Sequence, residues 1–203
     1  MRVTSDRVTL YLIRHGETEW SLSGRHTGST DIALTARGEN DARQLGPYLG
    51  KIAFTRVMSS PRSRAYRTCE LAGLGTPEID VDLSEWDYGA YEGKRTAEIL
   101  GERPSWDLWK DGCPGGEMPI DVARRADRVI AHVRTLRGNV ALFSHGHFGC
   151  AIAARWAGLA VVEGRHFALD PASLSTLGYV PRHPDAPVIL LWNAQIPLIC
   201  AAS

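Results

Sequence analysis

Short apolar runs alternate with longer amphipathic stretches along this chain. Three runs rich in β-branched and other apolar residues predict buried strands: VTLYLIR (8–14), RVMSS (56–60) and NVALFS (139–144). Apolar positions at helical spacing lie between them, and no repeat or Pro/Gly-rich linker divides the sequence. The pattern predicts one domain spanning 1–203, an α/β fold built as a three-layer α/β/α sandwich with a mostly parallel central sheet.

Capping residues set the expected limits of three helices. A polar residue that can act as N-cap precedes the first two, and a glycine follows each of the three. The first predicted helix runs from the N-cap Thr35 to about Leu49, with Gly50 after it. The second has Ser60 as N-cap and Pro61 as its first helical residue, and it reaches about Leu71. The third runs from Ile120 to Leu136, with Gly138 after it.

The remaining segments fall into two kinds. ASLSTLGYV (172–180) and PVILLWN (187–193) have strand composition and are separated by a proline-rich turn, which predicts a hairpin at one edge of the sheet. An exposed edge of this kind permits a homodimer. The stretch 92–118 is rich in Trp, Gly and charge and is the least regular, so we expect it to form a lid or wall over a site.

Composition excludes several function classes. The formal net charge is zero and no long run of one sign occurs, so we expect neither a nucleic-acid nor a membrane partner. The apolar stretch near the N-terminus is too short for a signal peptide or a spanning helix. Four scattered cysteines without CxxC spacing fit reduced thiols, and together these features predict a cytoplasmic protein: Cys69, Cys113, Cys150 and Cys200.

Polar side chains follow each of the three predicted strands. Because the carboxyl ends of parallel strands meet at one edge of a sheet, at least two histidines and two arginines are expected to converge there. The residues are Arg14, His15 and Gly16 after the first strand, Ser59, Ser60, Arg62 and Arg64 after the second, and Ser144, His145, Gly146 and His147 after the third.

This set of residues predicts metal-free phosphoryl transfer. Arginine presents a planar fork of donors that matches phosphate oxygens, and a neutral imidazole can attack phosphorus. His145 and His147 have a spacing that suits metal ligation, but no third-ligand motif accompanies them, so we expect no metal and no other cofactor. The leaving oxygen needs a proton, and residues alone do not choose among Glu85, Asp87 and Glu92 as its donor.

Three separated blocks resemble the histidine phosphatase superfamily, which includes phosphoglycerate mutases and many phosphatases: RHGETEW (14–20), SSPRSRAYRT (59–68) and SHGH (144–147). They occur in the family's order and cover nearly the whole chain. The resemblance implies a phosphoglycerate mutase-like fold.

Position by position, the resemblance implies that His15 is the phosphorylated nucleophile. Arg14, Arg64 and His145 would hold the phosphoryl group, and Glu85 matches the family's proton donor. The two other arginines of the second block, Arg62 and Arg67, are expected to be solvated helix residues.

Candidate substrate contacts also follow from the resemblance. Ser21 stands where many mutases have Asn, and Thr27 and Gly28 match a Thr-Gly step that approaches substrate. Further candidates are Tyr88, Gly146 and His147.

Within the family, EWDYGAYEG (85–93), WDLWKDGCPGGE (106–117) and SHGH are most similar to the acid-phosphatase and sugar-bisphosphatase branch, including sedoheptulose-bisphosphatase-like proteins. Mutases usually carry a paired-arginine clamp in an inserted segment, and at the corresponding place this chain has only Arg103 and Lys110. Mutases also usually have Asn at the position of His147. The resemblance therefore favours hydrolysis of a small phosphorylated metabolite such as a sugar phosphate. A 2,3-bisphosphoglycerate-dependent phosphoglycerate mutase and a non-catalytic phospho-ligand binding module are the alternatives.

Overall fold

The computed structural model describes residues 7–195, which contain a six-stranded sheet. The strands are β1 (Thr9–Arg14), β2 (Phe54–Ser59), β3 (Glu78–Ile79), β4 (Asn139–Ser144), β5 (Leu174–Val180) and β6 (His183–Ala194). Their spatial order is β3-β2-β4-β1-β5-β6. The pairs β1/β4, β2/β4 and β2/β3 are parallel, whereas β5 is antiparallel to both its neighbours. The sheet is therefore mostly parallel, as predicted.

Helices cover both faces of the sheet. In chain order they are α1 (Glu19–Ser23), α2 (Ala36–Leu49), α3 (Ser63–Leu71), α4 (Thr96–Glu102), α5 (Leu108–Asp111), α6 (Pro119–Thr135) and α7 (Gly146–Trp156). Short 3₁₀ turns occur at Val81–Leu83, Gly89–Tyr91 and Val161–His166. None of the helices in the described part of the chain is long and apolar enough to cross a membrane.

Alternation along β1 divides the core into two parts. Leu12 packs with residues of α6 and α7, and its neighbour Ile13 packs with residues of α2 and α3; both side chains are fully buried. Each face of the sheet thus has its own helical layer. The three-layer sandwich expected from the sequence is confirmed.

Most predicted boundaries hold, but the second helix begins later than expected. It starts at Ser63 with Arg62 as N-cap, although Ser60 Oγ accepts from the Arg62 amide at 3.3 Å and also contacts His145 Nε2. The first helix has the predicted Thr35 cap, whose Oγ1 accepts from the Gly38 amide at 2.9 Å.

The C-terminal hairpin is confirmed at the sheet edge. Its last strand begins earlier than predicted and includes Pro184 and Pro187, which an edge strand tolerates because one side lacks a partner strand.

The 92–118 stretch is more regular than its composition suggested. It contains α4 and α5, and their packing buries Ile99, Leu108 and Trp109. Cys69, Cys113 and Cys150 are buried free thiols, whereas Cys200 lies outside the described residues.

Candidate active site

A cavity of about 300 Å³ lies where β1 and β4 end. Eight of the predicted site residues line it: Arg14, His15, Ser21, Thr27, Glu85, Tyr88, Gly146 and His147. Arg64 and His145 are fully buried beside it. The sequence-predicted cluster is thus brought together, with one exception, Gly28.

His15 is held with one ring nitrogen available. Its Nδ1 lies 2.7 Å from the Gly16 carbonyl oxygen, so Nδ1 carries the hydrogen and donates it. Nε2 has no hydrogen-bond partner in residues 7–195, and the ring is 5% exposed at the cavity wall. The lone pair of Nε2 is therefore the accessible nucleophile.

The electrostatic surroundings keep both central histidines neutral. Burial lowers the pKa of His15 well below its usual value, and the charges of Arg64 and Arg14 lower this pKa further. Burial followed by Arg64 has the same effect on the pKa of His145. The two rings lie 5.1 Å apart between centroids. A neutral imidazole is the form that attacks phosphorus.

The two arginines each retain an unpaired donor. Arg64 on α3 donates to the carbonyls of Thr27, Gly28 and Thr30 at 2.9–3.2 Å, and its Nε is buried without a partner. Arg14 donates through Nη1 to the Leu169 carbonyl, and its Nε is likewise buried and unpaired. Two guanidinium cations beside one cavity suit an anionic ligand, to which arginine donates charge-assisted hydrogen bonds.

His145 supplies a third donor. Its Nε2 lies 2.8 Å from Ser60 Oγ, which already accepts from the Arg62 amide at 3.3 Å. A neutral His145 can accept the Ser60 hydroxyl hydrogen at Nε2, and in that tautomer Nδ1 carries the imidazole hydrogen. That Nδ1 is buried and unpaired.

The two histidines of the His-x-His spacing stand at the start of a helix, not along a strand. Helix α7 starts at Gly146, so the two histidines do not share a strand face, and His147 Nδ1 pairs with the Tyr88 hydroxyl at 2.6 Å. Within residues 7–195 no group of three His, Cys, Asp or Glu side chains is placed to hold a metal ion.

Of the three acids left open by the sequence, only Glu85 lines this cavity. Its Oε1 accepts from the Trp86 and Phe148 amides at 2.9 and 2.8 Å, and its Oε2 accepts from the His147 amide at 3.0 Å. The N-terminus of α7 therefore fixes this carboxyl group.

The other two acids hold loops. Glu92 accepts from the Gly28 and Thr30 amides, and Asp87 accepts from the Gly89 amide. Gly28 itself does not line the cavity, because its amide and carbonyl are used by Glu92 and Arg64. Gly28 lines the neighbouring cavity, and its expected contact with substrate stays a prediction.

Ser21 and Thr27 line the cavity with hydroxyls that are already engaged. Ser21 Oγ accepts from the Thr18 amide and donates to the Thr18 carbonyl, which caps α1. Thr27 Oγ1 donates to the Arg25 carbonyl at 3.1 Å. Because both hydroxyl hydrogens are already donated to carbonyls, each oxygen remains available to a ligand as a hydrogen-bond acceptor.

Sequence reasoning missed His26, which forms part of the cavity wall. Its ring lies 4.7 Å from Tyr88 and 5.9 Å from His147 between centroids. Burial, followed by the charge of His147, lowers its pKa to about 4. Its position just before the Thr-Gly step was the available signal.

Arg62 is a second departure from expectation. Its Nε is buried and unpaired, and its side chain lines a neighbouring cavity, so it is not a solvated residue. Arg67 is about half exposed and pairs with Glu39 and Glu70, as a solvated helix residue does.

Two glycines fix the loop that follows the nucleophile. A Cβ on Gly16 would lie 2.5 Å from the Gly38 carbonyl oxygen, and a Cβ on Gly38 would lie 2.2 Å from the Glu17 carbonyl oxygen. Thr68 Oγ1 accepts from the Gly16 amide at 3.0 Å and donates to the Arg64 carbonyl. The glycines thus let α2 approach the loop, and Thr68 joins the loop to the arginine helix.

These features define a site for phosphoryl transfer, in which cationic and neutral donors surround a nucleophilic nitrogen. A sequence profile of the histidine phosphatase superfamily (branch 1) matches residues 10–195. This chain belongs to that superfamily.

Relatives and solved structures agree with this assignment. The chain is 43% identical over 176 residues to an acid phosphatase of Mycobacterium tuberculosis, with 84% of this chain and 86% of that protein covered. It is 35% identical over 183 residues to sedoheptulose 1,7-bisphosphatase of Saccharomyces cerevisiae, covering 74% and 68% of the two chains. The structure of the Mycobacterium tuberculosis open reading frame Rv3214 superposes with a TM-score of 0.86 at 39% identity, covering 93% of this chain and 98% of that one.

Proposed function

We propose that this protein hydrolyses small phosphomonoesters through a phosphohistidine on His15. The observation that carries the proposal is the hydrogen bond from His15 Nδ1 to Gly16, which leaves a neutral Nε2 at the cavity wall beside Arg14. The names of the relatives, an acid phosphatase and a sugar bisphosphatase, support hydrolysis as the reaction type.

In the first step, the Nε2 lone pair forms a bond to phosphorus while the bond from phosphorus to the ester oxygen breaks. The guanidinium charges of Arg14 and Arg64 and the imidazole N–H of His145 stabilise the equatorial oxygens. The Gly16 carbonyl stabilises the positive charge that develops on the ring of His15.

Glu85 gives its proton to the departing oxygen. Its Oε1 already accepts two amide hydrogens and Oε2 only one, so Oε2 is the oxygen that carries the transferable proton. In the second step, water attacks phosphorus, Glu85 takes the proton of that water, and the phosphorus–nitrogen bond breaks to release inorganic phosphate.

The arrangement of cations favours hydrolysis over mutase chemistry. Arg103 and Lys110 do not line the cavity; they pair with Asp111 at 3.1 Å and Asp107 at 3.7 Å. Apart from Arg14, Arg25 is the single cationic side chain among the described residues that line the cavity. A mutase has to retain a bisphosphate, which carries two anionic phosphoryl groups, and this wall offers little charge for the second.

Trapping the intermediate tests the proposal. Protein mixed with a ³²P-labelled phosphomonoester and quenched in alkali should retain acid-labile label on wild type and none on His15→Ala. His132→Ala, which changes an exposed histidine on α6, is the matched control and should label like wild type.

Label or full turnover in His15→Ala contradicts the mechanism. Conversion of 3-phosphoglycerate that depends on added 2,3-bisphosphoglycerate and exceeds phosphate release would instead identify a mutase. A phosphate-induced rise in melting temperature without turnover of any ester would identify a binding module.

A further inference from the structure

Arg125 on α6 forms hydrogen bonds through all three nitrogens of its guanidinium group, next to Glu85. Its Nε and Nη2 bind the two carboxylate oxygens of Glu117 at 2.9 and 2.7 Å. Its Nη1 donates to the carbonyls of Asp82 and Ser84, and Nη2 also donates to the Glu85 carbonyl at 3.2 Å. The Arg125 side chain is 9% exposed, and that of Glu117 is 20% exposed, so the ion pair is mostly shielded from water.

Glu117, the partner of Arg125, holds the chain on the other side of Glu85. Its Oε2 accepts from the Asp87 amide at 2.9 Å, and its backbone amide donates to the Asp87 carbonyl at 2.9 Å. Its carbonyl accepts from the Trp86 indole at 3.0 Å. The backbone before and after Glu85 is therefore hydrogen bonded to one part-buried ion pair.

The same guanidinium also contacts the residue that anchors the Glu85 carboxyl group. The Arg125 Cζ atom lies 4.0 Å from the centre of the Phe148 ring, and the Phe148 amide donates to Glu85 Oε1. Arg125 thus contacts both the backbone that carries the carboxyl group and the helix end that orients it.

Arg125 does not itself line the catalytic cavity. It lines a second cavity of about 260 Å³, and Glu85 lines both cavities. A side chain in this position cannot contact the phosphoryl group, but its loss would let the Glu85 segment move relative to α7.

We propose that Arg125, with Glu117, is a positioning residue that holds Glu85 where its proton reaches the leaving oxygen. The inference rests on the proposed role of Glu85 as proton donor. A planar, forked guanidinium is needed, because one group has to serve a carboxylate and three carbonyls together. A lysine at the same position has the charge but not the fork.

Comparing substrates with different leaving groups separates loss of proton donation from a general loss of structure, which would lower the activity on all substrates alike. An alkyl phosphate needs a proton on its leaving oxygen, whereas 4-nitrophenyl phosphate expels a stable phenolate and needs it much less. The ratio of kcat/KM for 4-nitrophenyl phosphate to that for an alkyl phosphate turned over by the wild type therefore measures how well the proton is delivered.

Four variants make the test. Glu85→Gln should raise the ratio by about 10²–10⁴, the usual contribution of a general acid. Arg125→Met should raise it about 10- to 100-fold, and Arg125→Lys and Glu117→Gln should raise it less. Arg128→Met is the matched control, because Arg128 lies on the same helix and binds Asp82 at 2.7 and 2.8 Å without touching Glu85, so it should leave the ratio unchanged.

The outcomes separate the two proposals. If Glu85→Gln lowers kcat/KM equally for both substrates, the proposed role of Glu85 is wrong. If Glu85→Gln raises the ratio but the Arg125 and Glu117 variants leave it at the wild-type value, the positioning role is wrong. Circular dichroism establishes folding, and should Arg125→Met not fold, the isosteric Glu117→Gln decides.

Discussion

Replacing Ser60 with alanine should remove the group that selects which nitrogen of His145 carries its hydrogen. Ser60 Oγ lies 2.8 Å from His145 Nε2, and both side chains are fully buried. Without the hydroxyl, Nε2 is left as an unpaired buried atom, and no group of the protein then holds the imidazole hydrogen on Nδ1. The variant should therefore weaken the donor that His145 offers through Nδ1.

The size of the effect follows from the bonds involved. A hydrogen bond to a charged group contributes about 1.5–3 kcal/mol, and about 1.4 kcal/mol corresponds to a tenfold change in rate, so kcat/KM should fall about 10- to 100-fold. Leaving Nε2 unpaired should also lower the free energy of unfolding by about 1–3 kcal/mol.

Ser59→Ala separates the two effects. Ser59 is equally buried and its Oγ donates to the Ser60 carbonyl at 2.9 Å, but it does not contact His145. Both variants should lower the melting temperature by about 2–4 °C per kcal/mol lost, and only Ser60→Ala should lose activity beyond about threefold.

Two measurements complete the assay. Steady-state kinetics with 4-nitrophenyl phosphate gives kcat/KM, and ¹⁵N NMR of the imidazole ring reports which nitrogen of His145 is protonated. If Ser60→Ala moves the hydrogen of His145 to Nε2 yet keeps wild-type kcat/KM, then His145 does not act as a donor through Nδ1.

Three further predictions concern the nucleophile, acid stability and backbone packing. Because burial and two arginines hold the pKa of His15 well below 6.5, its ring signals should remain those of the neutral form in an NMR titration from about pH 7 to pH 5; a transition near 6.5 would contradict this. The pKa of His26 is about 4 when folded and about 6.5 when unfolded, so the unfolded state binds the extra proton and stability should fall, by up to about 3 kcal/mol, as pH drops from 6.5 towards 4. Urea unfolding at several pH values should show this slope, and His26→Phe should flatten it; an unchanged slope would assign the acid sensitivity elsewhere. Gly38→Ala should destabilise the fold by more than about 2 kcal/mol, because the added Cβ would overlap the Glu17 carbonyl. Gly101→Ala on α4, where the added Cβ meets open space, should stabilise the fold by about 0.5–1 kcal/mol. Equal melting temperatures of the two variants would contradict this description of the packing.

The sequence predicted the parts of this molecule that depend on simple periodicity. Apolar runs located the central strands, and the shared edge of parallel strands predicted that His15 and His145 would meet. The start of α3 was predicted two residues too early: Ser60 Oγ accepts from the Arg62 amide as an N-cap would, yet the helix begins only at Ser63. The second partner of Ser60, His145, is not revealed by any short-range pattern. Periodicity also gave no indication of His26, since its burial depends on aromatic rings from other segments.

The proton donor shows the same limit. Glu85, Asp87 and Glu92 are equivalent by residue type and proximity, and the distinction among them is made by the amides of α7, which approach Glu85 alone. Only the family resemblance pointed to Glu85 from sequence. Tertiary approach of a helix end to a loop is not encoded in any local spacing.

The close approach of Gly16 and Gly38 has a consequence for ligand affinity. A loop that is locked between two helices has few alternative conformations to lose, so an incoming phosphoester does not have to order it. Affinity then reflects the contacts themselves.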